Sequence, residues 1–299
     1  MISIIVCSKQ ESQFNAFSLN VSKTIGIDFE IIKFHNPDGI YGISSAYNVG
    51  AEKAKFFFLC FIHEDVRFST IGWGQLLMKH FYNSENVGVL GFAGSVFKTK
   101  TISSWWQPEI NYYQPKRANY IQNYKFIDRS PEHIFINPLN ELRSRVVSID
   151  GLFMGVRRDV WQFQKFDDKL LNGFHGYDLD FSIRIARKYN NYVIYDILLE
   201  HLSEGINDKK WFEAMVEVHS RNKNILPIII DESLSLSLVK KAEKLNFRTN
   251  IYSLLSYSIS FRSLTFLMLK TIKLSGLYFP SLSILILFFK SFLNKSENA

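Results

Sequence analysis

Carboxylate and imidazole side chains follow apolar, strand-like segments at several places along the 299-residue chain. The group consists of His63, Glu64, Asp65, Asp150, Asp178, Asp180 and His201. A divalent cation that bridges a diphosphate needs few protein ligands, because phosphate oxygens and water fill its other coordination positions. One aspartate and one distant histidine would suffice, and an imidazole ligand favours Mn²⁺ over Mg²⁺. The group therefore predicts a site for a divalent cation beside a phosphorylated ligand.

Two of these carboxylates lie two residues apart, where a glycine-rich loop turns into a helical segment. If the helix has already begun, Asp180 points in a different direction from Asp178. One of the two could act as a general base while the other caps or orients the helix.

Alternating strand and helix patterns must position these side chains. In the first 95 residues, continuous apolar runs alternate with segments of helical spacing. This alternation predicts an α/β fold with a Rossmann-like, mostly parallel central sheet flanked by helices. The predicted strands are 2–7, 29–35, the apolar run 56–62 and 87–94.

The carboxyl ends of parallel strands are where such sheets collect their ligands. His63, Glu64 and Asp65 directly follow the run 56–62, so we expect them to face the ligand crevice. Ser8 and Asn36 follow the first two strands and should open onto the same crevice.

The middle of the chain has a weaker pattern. Residues 96–145 are aromatic and irregular, which predicts a long, partly ordered insertion. The later predicted elements are a strand at 145–156 that carries Asp150-Gly151, a helix within 173–189, and a strand at 192–205 that ends at His201.

Two familiar nucleotide-binding signatures are missing from the sequence. No GxGxxG follows the first strand, and no GxxxxGK[ST] occurs anywhere. Hydride transfer on a standard dinucleotide fold and P-loop phosphoryl transfer are therefore disfavoured.

The net charge of +7 is located in one part of the chain. From Lys240 to Ala299 there are nine Lys or Arg and two Glu, whereas the first 239 residues are balanced. This basic segment is rich in large apolar residues, unlike a typical nucleic-acid-binding surface. We therefore expect no nucleic-acid partner and favour an anionic membrane surface.

The cysteines and the amino terminus indicate where the protein works. Cys7 and Cys60 both lie in apolar runs, and neither a disulfide framework nor a zinc-type spacing is present. The first ten residues lack the basic and apolar regions of a signal peptide. We expect a cytoplasmic protein.

The basic segment contains two apolar stretches. Residues 251–276 show helical periodicity with interspersed Arg and Lys, and 274–289 are uncharged but interrupted by Pro280. The uncharged stretch is shorter than the roughly 20 residues that a bilayer span needs. We therefore expect a peripheral anchor within 251–293 on the inner face of the membrane. A homodimer interface and a helical cap on the main domain are the alternatives.

Taken in order, several segments resemble the inverting family 2 glycosyltransferases with the GT-A fold, especially the bacterial glycosyltransferase-like group. The resemblance covers residues 1 to about 220. The segments are ISIIVCSK, AYNVGAEKAKFFFLCFIHEDV, VGVLGFAG, SIDGLFMGVRR, FDDKLLNGFHGYDLDFSIRIA and EHLSEG. The resemblance implies a GT-A domain at 1–225. The helical periodicity of the basic segment indicates a separate helical C-terminal region at 226–299, which is the expected membrane-surface anchor or dimer interface.

The resemblance also implies roles for the metal and catalytic residues. The family's DxD signature corresponds to His63-Glu64-Asp65, so its last aspartate is kept and its first is a histidine. Asp65 is then a metal ligand and His201 a late metal ligand, with His63 at the metal or the diphosphate. The family's catalytic aspartate corresponds to Asp178, with Asp180 as the fallback.

The remaining roles concern the two substrates. The resemblance implies donor-binding roles for Ser8, Asn36, Asn48 and Glu64. It places Asp150, Gly151, Asp180 and Trp105 near the donor sugar or the acceptor, although Trp105 could equally be a core or lid residue.

The function implied is inverting, metal-dependent transfer of a sugar from a nucleotide-diphosphate sugar to a glycan or lipid-linked acceptor, in surface polysaccharide or glycan assembly. Two alternatives use the same scaffold. One is a non-catalytic module that binds sugar nucleotides or glycans, and the other is a metal-dependent nucleotidyltransferase or hydrolase.

Overall fold

The computed structural model describes residues 1–82, 86–107, 109–110, 112–205, 207–257 and 259–276. The helices are α1 Glu11–Thr24, α2 Ile43–Lys53, α3 Trp73–Tyr82, α4 Arg158–Phe163, α5 Tyr177–Ile185, α6 Lys209–Asn222, α7 Leu236–Ser256 and α8 Phe261–Ser275. The strands are β1 Ile2–Ser8, β2 Phe29–His35, β3 Phe58–Ile62, β4 Val66–Phe68, β5 Val87–Gly91, β6 Ala93–Ser95, β7 Phe97–Lys98, β8 Lys116–Gln122, β9 Glu132–Ile136, β10 Arg143–Val146, β11 Ser148–Ile149, β12 Phe153–Arg157, β13 Asn190–Ile194, β14 Leu199–His201 and β15 Ile228–Ile229.

The central sheet has seven strands in the order β10-β13-β5-β12-β3-β1-β2. Five of them run in one direction, while β12 and β10 run antiparallel to their neighbours. All five residues of β3 are buried, because β1 and β12 flank the strand and hydrophobic clusters cover both faces. The predicted α/β fold with a mostly parallel sheet is confirmed.

A second sheet, in the order β11-β6-β8-β14-β4 with β9 paired to β8, takes two of its strands from the region predicted to be irregular. That prediction was wrong for β8 and β9, which are regular strands between irregular segments. The buried face of β8 includes polar residues such as Asn119, whose side-chain amide donates to the carbonyls of Tyr195 and Ile197. The buried Asn119 amide is therefore hydrogen-bonded to residues far away in the sequence, and hydrophobic periodicity does not reveal such partners.

The second sheet brings the ends of two predicted segments together. β4 pairs with β14 in antiparallel register, so Val66 lies opposite His201. The backbone N–H of Leu202 donates to the carbonyl of Asp65 at 2.9 Å. The predicted strand 192–205 is thus two strands, and the second of them carries His201 to the end of β3.

The C-terminal helices pack on the rest of the protein. Side chains of α7 and α8 share a hydrophobic cluster with α5 and α6, and β15 pairs with β7. None of the helices in the described part of the chain has both the length and the hydropathy required to cross a bilayer. Of the predicted anchor, residues 277–293 lie outside the described residues.

Candidate active site

Three side chains converge just beyond the carboxyl end of β3. His63, Asp65 and His201 each offer one ligand atom, and these atoms lie within 4.8 Å of one another. Nδ1 of His63 is 3.9 Å from Asp65, and Nε2 of His201 is 3.6 Å from it. The pairing of β4 with β14 explains this cluster, because His63 and Asp65 lie between β3 and β4 while His201 is the last residue of β14.

Hydrogen bonds determine which nitrogen of His63 carries its proton. The Tyr177 hydroxyl lies 3.0 Å from the carbonyl oxygen of Gly151, which can only accept, so the hydroxyl proton is used there. Nε2 of His63 is 2.6 Å from the same hydroxyl and must therefore donate to it. The lone pair on Nδ1 then faces Asp65.

His201 is oriented in the same way from the second sheet. The Gln122 side-chain amide donates to the carbonyls of Asn123 and Ser203, which fixes its oxygen toward Nδ1 of His201 at 3.3 Å. Nδ1 must be the donor, so the lone pair on Nε2 faces Asp65. Partners of this kind commonly orient metal-ligating histidines.

The protonation states favour the same arrangement. Burial lowers the pKa of His63 to about 4 and also lowers the pKa of His201. Burial alone would raise the pKa of Asp65, but the two imidazoles and the Ser203 hydroxyl outweigh it and the pKa is lowered. Two neutral imidazoles and one carboxylate can hold a divalent cation, and this donor set suits Mn²⁺ better than Mg²⁺.

A pair of carboxylates lies on the other side of His63. Burial raises the pKa of Asp178 to about 6, against the opposing effect of backbone N–H groups, including that of Gly151 at 3.0 Å. Burial and then the charge of Asp178 raise the pKa of Asp150 to about 7. Carboxylates with raised pKa values at a cavity wall are suited to accept or donate protons near neutral pH.

The turn that carries Asp150 and Gly151 packs directly against the Tyr177 side chain. A Cβ added at Gly151 would lie 2.0 Å from the Tyr177 hydroxyl oxygen and 3.0 Å from Cβ of Asp178. Only glycine fits at this position, so the contact between Gly151 and Asp178 depends on the absence of a side chain.

Two adjoining cavities meet at these residues. The smaller has a volume of about 280 Å³ and includes Trp105, Asp150, Gly151 and Asp178 in its wall. The larger has a volume of about 1200 Å³ and includes Asp65. Five residues line both: His63, Phe174, His175, His201 and Gly205. Asp65 and Asp178 therefore line two adjoining cavities that have these five wall residues in common.

The predicted donor-binding residues occupy different surroundings. Asn36 and Glu64 line the larger cavity. Both polar groups of Asn36 bond the backbone of Tyr41, whereas Glu64 accepts from the N–H groups of Lys9 and Gln10 through one oxygen only. Its other oxygen is buried and lacks a hydrogen-bond partner among the described residues, as does the Ser8 hydroxyl.

Ser8 lines neither cavity, and two further predicted site residues also lie outside both. Asn48 donates to the carbonyl of Phe166 and accepts from the indole of Trp161, so its amide braces α2 against α4. Asp180 is fully buried, 2.6 Å from Arg184 and 3.1 Å from the amide of Asn222. The structure places neither near the ligand crevice.

Sequence reasoning missed several residues that shape the site. Tyr177 lies within the helix predicted at 173–189 without a role of its own, and Gln122 lies in the region predicted to be irregular. Their roles depend on partners 114 and 79 positions away, which local patterns do not show.

A protein-family model described as a glycosyltransferase-like family matches residues 3–225. The chain belongs to this glycosyltransferase-like family. No curated protein matches it by sequence.

A solved structure supports the fold of this glycosyltransferase-like chain. A crystal structure of GalNAc-T7 with UDP, GalNAc and Mn²⁺ is similar at a TM-score of 0.50 and 12% identity, covering 82% of this chain and 54% of that one. The chain thus spans about half the length of that structure. The crystal structure of A197 from STIV aligns at a TM-score of 0.37 and 14% identity, covering 69% and 86% of the two chains. The fold is GT-A, and family and fold together support a role in glycosyl transfer.

Proposed function

We propose that this protein is an inverting, metal-dependent glycosyltransferase that uses a nucleotide-diphosphate sugar. The proposal rests on one observation. The lone pairs of His63, Asp65 and His201 converge beside the cavity that Asp178 lines. Such an arrangement can hold a leaving diphosphate and a proton acceptor on opposite sides of a sugar.

The cation site serves the departing nucleotide. A bound divalent cation would neutralise the charge that develops on the diphosphate as it leaves. His63, Asp65 and His201 would hold that cation, with Gln122 and Tyr177 fixing the two imidazoles. Glu64, with its unpaired buried oxygen, is our candidate for a hydroxyl group of the nucleoside.

Asp178 is the proposed general base. With a pKa of about 6 it is ionised at neutral pH and can accept the proton of the acceptor hydroxyl. The acceptor oxygen then bonds to the anomeric carbon while the bond from that carbon to the diphosphate oxygen breaks and the diphosphate keeps the electron pair. Attack from the side opposite the diphosphate inverts the anomeric configuration.

The walls of the larger cavity support a glycan or lipid-linked acceptor. At about 1200 Å³ it offers more room than a nucleoside diphosphate fills. Part of its wall is apolar and comes from the 170–171 loop and from α8, through Leu170, Leu171, Phe266 and Leu267. An acceptor joined to an apolar carrier, as in surface polysaccharide assembly, would suit this wall.

We further propose that the protein works at the cytoplasmic face of a membrane. Phe266 and Leu269 of α8 are exposed, and Arg262 and Lys273 lie on the same helix. Flotation with vesicles containing anionic lipid should recover the protein, and salt should reduce the recovery. A protein that is dimeric in solution and does not bind such vesicles would favour a homodimer interface over a membrane anchor.

Turnover of sugar nucleotides tests the main proposal. Purified protein with Mn²⁺ should release a nucleoside diphosphate from one member of a panel of sugar nucleotides in the presence of acceptor. NMR of the product should show an inverted anomeric centre. Asp178→Asn should stop transfer while nucleotide binding persists.

Other products would point to other functions. Release of a nucleoside monophosphate or pyrophosphate would identify a hydrolase or nucleotidyltransferase. Binding of sugar nucleotides without turnover, across glycan and lipid-linked acceptors, would identify a binding module.

A further inference from the structure

A buried polar network lies behind one wall of the smaller cavity. We call residues 98–107 the wall loop, because Trp105 and Trp106 within it line that cavity. At its start, the fully buried ammonium of Lys98 donates to the carbonyls of Ser103 and Ser104, at 2.7 and 2.8 Å, and to the Ser103 hydroxyl. The loop is thus folded back on its own first residue.

One face of α7 supplies the second set of contacts to the wall loop. The carboxylate of Glu243 accepts from the N–H groups of Lys100 and Thr101, both at 2.7 Å. The amide of Asn250 donates to the carbonyl of Ile102 at 2.9 Å. The amide of Asn246 donates to Gln107 at 2.6 Å and to Thr99 at 3.0 Å. The spacing of three and four residues places all three side chains on one side of the helix.

α6 and β11 complete the support. Nε2 of His219 accepts from the N–H of Ser103 at 3.2 Å, and Nδ1 donates to the carbonyl of Lys100 at 3.0 Å. The Ser148 hydroxyl donates to the carbonyl of Trp105. The wall loop is therefore held by hydrogen bonds from α6, α7 and β11.

The wall loop carries two adjacent indole rings, of which Trp105 is half-buried and Trp106 is exposed. Trp105 and Trp106 share the cavity wall with Asp150 and Asp178, and the Lys116 ammonium lies 5.4 and 5.9 Å from the two ring centres. Aromatic faces bind the apolar C–H face of a sugar ring well, provided that the rings are held in place.

We propose that Glu243, Asn246 and Asn250 are positioning residues for the acceptor. They fix the wall loop so that Trp105 and Trp106 present their rings to the acceptor sugar beside Asp178. The inference rests on the proposed function and extends it to α7, which lies beyond the residues that the family model matches. A buried polar network fixes one loop conformation more strictly than an apolar contact does, which is what a binding wall requires.

The test compares the effect of one substitution on acceptor binding with its effect on donor binding. In Glu243→Ala the two backbone N–H groups lose their acceptor, so the loop loosens and the KM for acceptor should rise tenfold or more. The KM for the sugar nucleotide and the affinity for nucleoside diphosphate with Mn²⁺ should stay within twofold of wild type. Glu243→Asp, which keeps a carboxylate, should recover part of the loss. Glu232→Ala, which removes an exposed glutamate eleven residues earlier, is the matched control and should behave as wild type.

Two results would overturn the inference. One is an unchanged KM for acceptor in Glu243→Ala. The other is an equal loss in the donor and acceptor parameters, which would mean that α7 only stabilises the fold. If Glu243→Ala fails to fold, Asn250→Ala removes a single hydrogen bond and should show the same split.

Failure of the proposed function would be seen in the wild-type protein, which would then turn over no sugar nucleotide. In that case, binding of oligosaccharides is measured directly. Glu243→Ala should weaken it tenfold or more if the wall loop is positioned by α7, and an unchanged affinity would refute the inference.

Discussion

The first turn of α5 carries two aspartates, Asp178 and Asp180, that lie in different surroundings. They differ in whether a buried cationic side chain pairs with the carboxylate. Asp180 has Arg184 and Asn222 within hydrogen-bond distance and is sealed from both cavities. Asp178 borders a cavity, and among the described residues no Lys, Arg or His nitrogen lies within 4 Å of its carboxylate. Its pKa is raised to about 6. A carboxylate paired with a buried guanidinium stabilises the fold, whereas one that borders a cavity is accessible to a ligand.

The largest effect should come from the open member of the pair. Asp178→Asn keeps the shape but removes the proton acceptor, so the turnover number for transfer should fall by about 100- to 10,000-fold. The affinity for nucleoside diphosphate, measured by calorimetry, should change little. Equal losses of binding and turnover would show that Asp178 is as structural as Asp180.

The sealed member should give the opposite pattern. Asp180→Ala leaves Arg184 buried without its carboxylate, so the free energy of unfolding should drop by about 3–5 kcal/mol. Urea denaturation measures this loss, and any residual folded protein should keep its acceptor KM. Normal stability in this variant would break the contrast between the two aspartates.

A smaller effect should follow from the partners of the metal cluster. Gln122→Met removes the oxygen that fixes the tautomer of His201, and the affinity for Mn²⁺ should fall by about 10- to 100-fold. Titration calorimetry on protein treated with EDTA provides the measurement. His80 is also buried and bonded to Asp196 at 2.8 Å, outside the cavities, so His80→Gln is a control that should leave Mn²⁺ affinity unchanged.

The smallest effect concerns stability against pH. The pKa of Asp178 is raised from 3.8 to about 6, so its contribution to stability is present below pH 4 and is lost as the pH rises through about 6. Without metal, Asp178→Asn should therefore melt above wild type at pH 8, by roughly 2–4 °C for each kcal/mol. The difference should vanish near pH 4. A melting difference that is independent of pH would contradict the raised pKa.

The central sheet could be predicted from the sequence because its strands are continuous apolar runs. Strands such as β3 are buried on both faces, and their ends share one edge of the sheet. Asp65 directly follows β3 at that edge, whereas Asp178 lies in α5 and His201 on β14 of the second sheet, and both were assigned to the same site as Asp65 through the resemblance to family 2 glycosyltransferases. Their roles in binding and catalysis stay predictions until they are tested.

The second sheet and the supporting residues could not be predicted in this way. Asn119 can be buried in β8 because the carbonyls of Tyr195 and Ile197 accept from its amide. The sequence around Asn119 does not indicate these partners. The difference between Asp178 and Asp180 is equally hidden, because it depends on Asn222 from α6 and on the turn at Gly151.

The contacts between α7 and the wall loop have a consequence for the order of assembly during synthesis. Glu243 and Asn250 bond to residues 142–148 positions earlier in the chain. β1, β2 and β3 lie within the first 62 residues, so they emerge from the ribosome long before α7 does. β1, β2 and β3 can therefore pair while the chain is still growing, but the wall loop gains its contacts to Glu243 and Asn250 only after α7 has been made. An unfinished chain would carry the sheet edge next to Asp65 without a fixed wall loop.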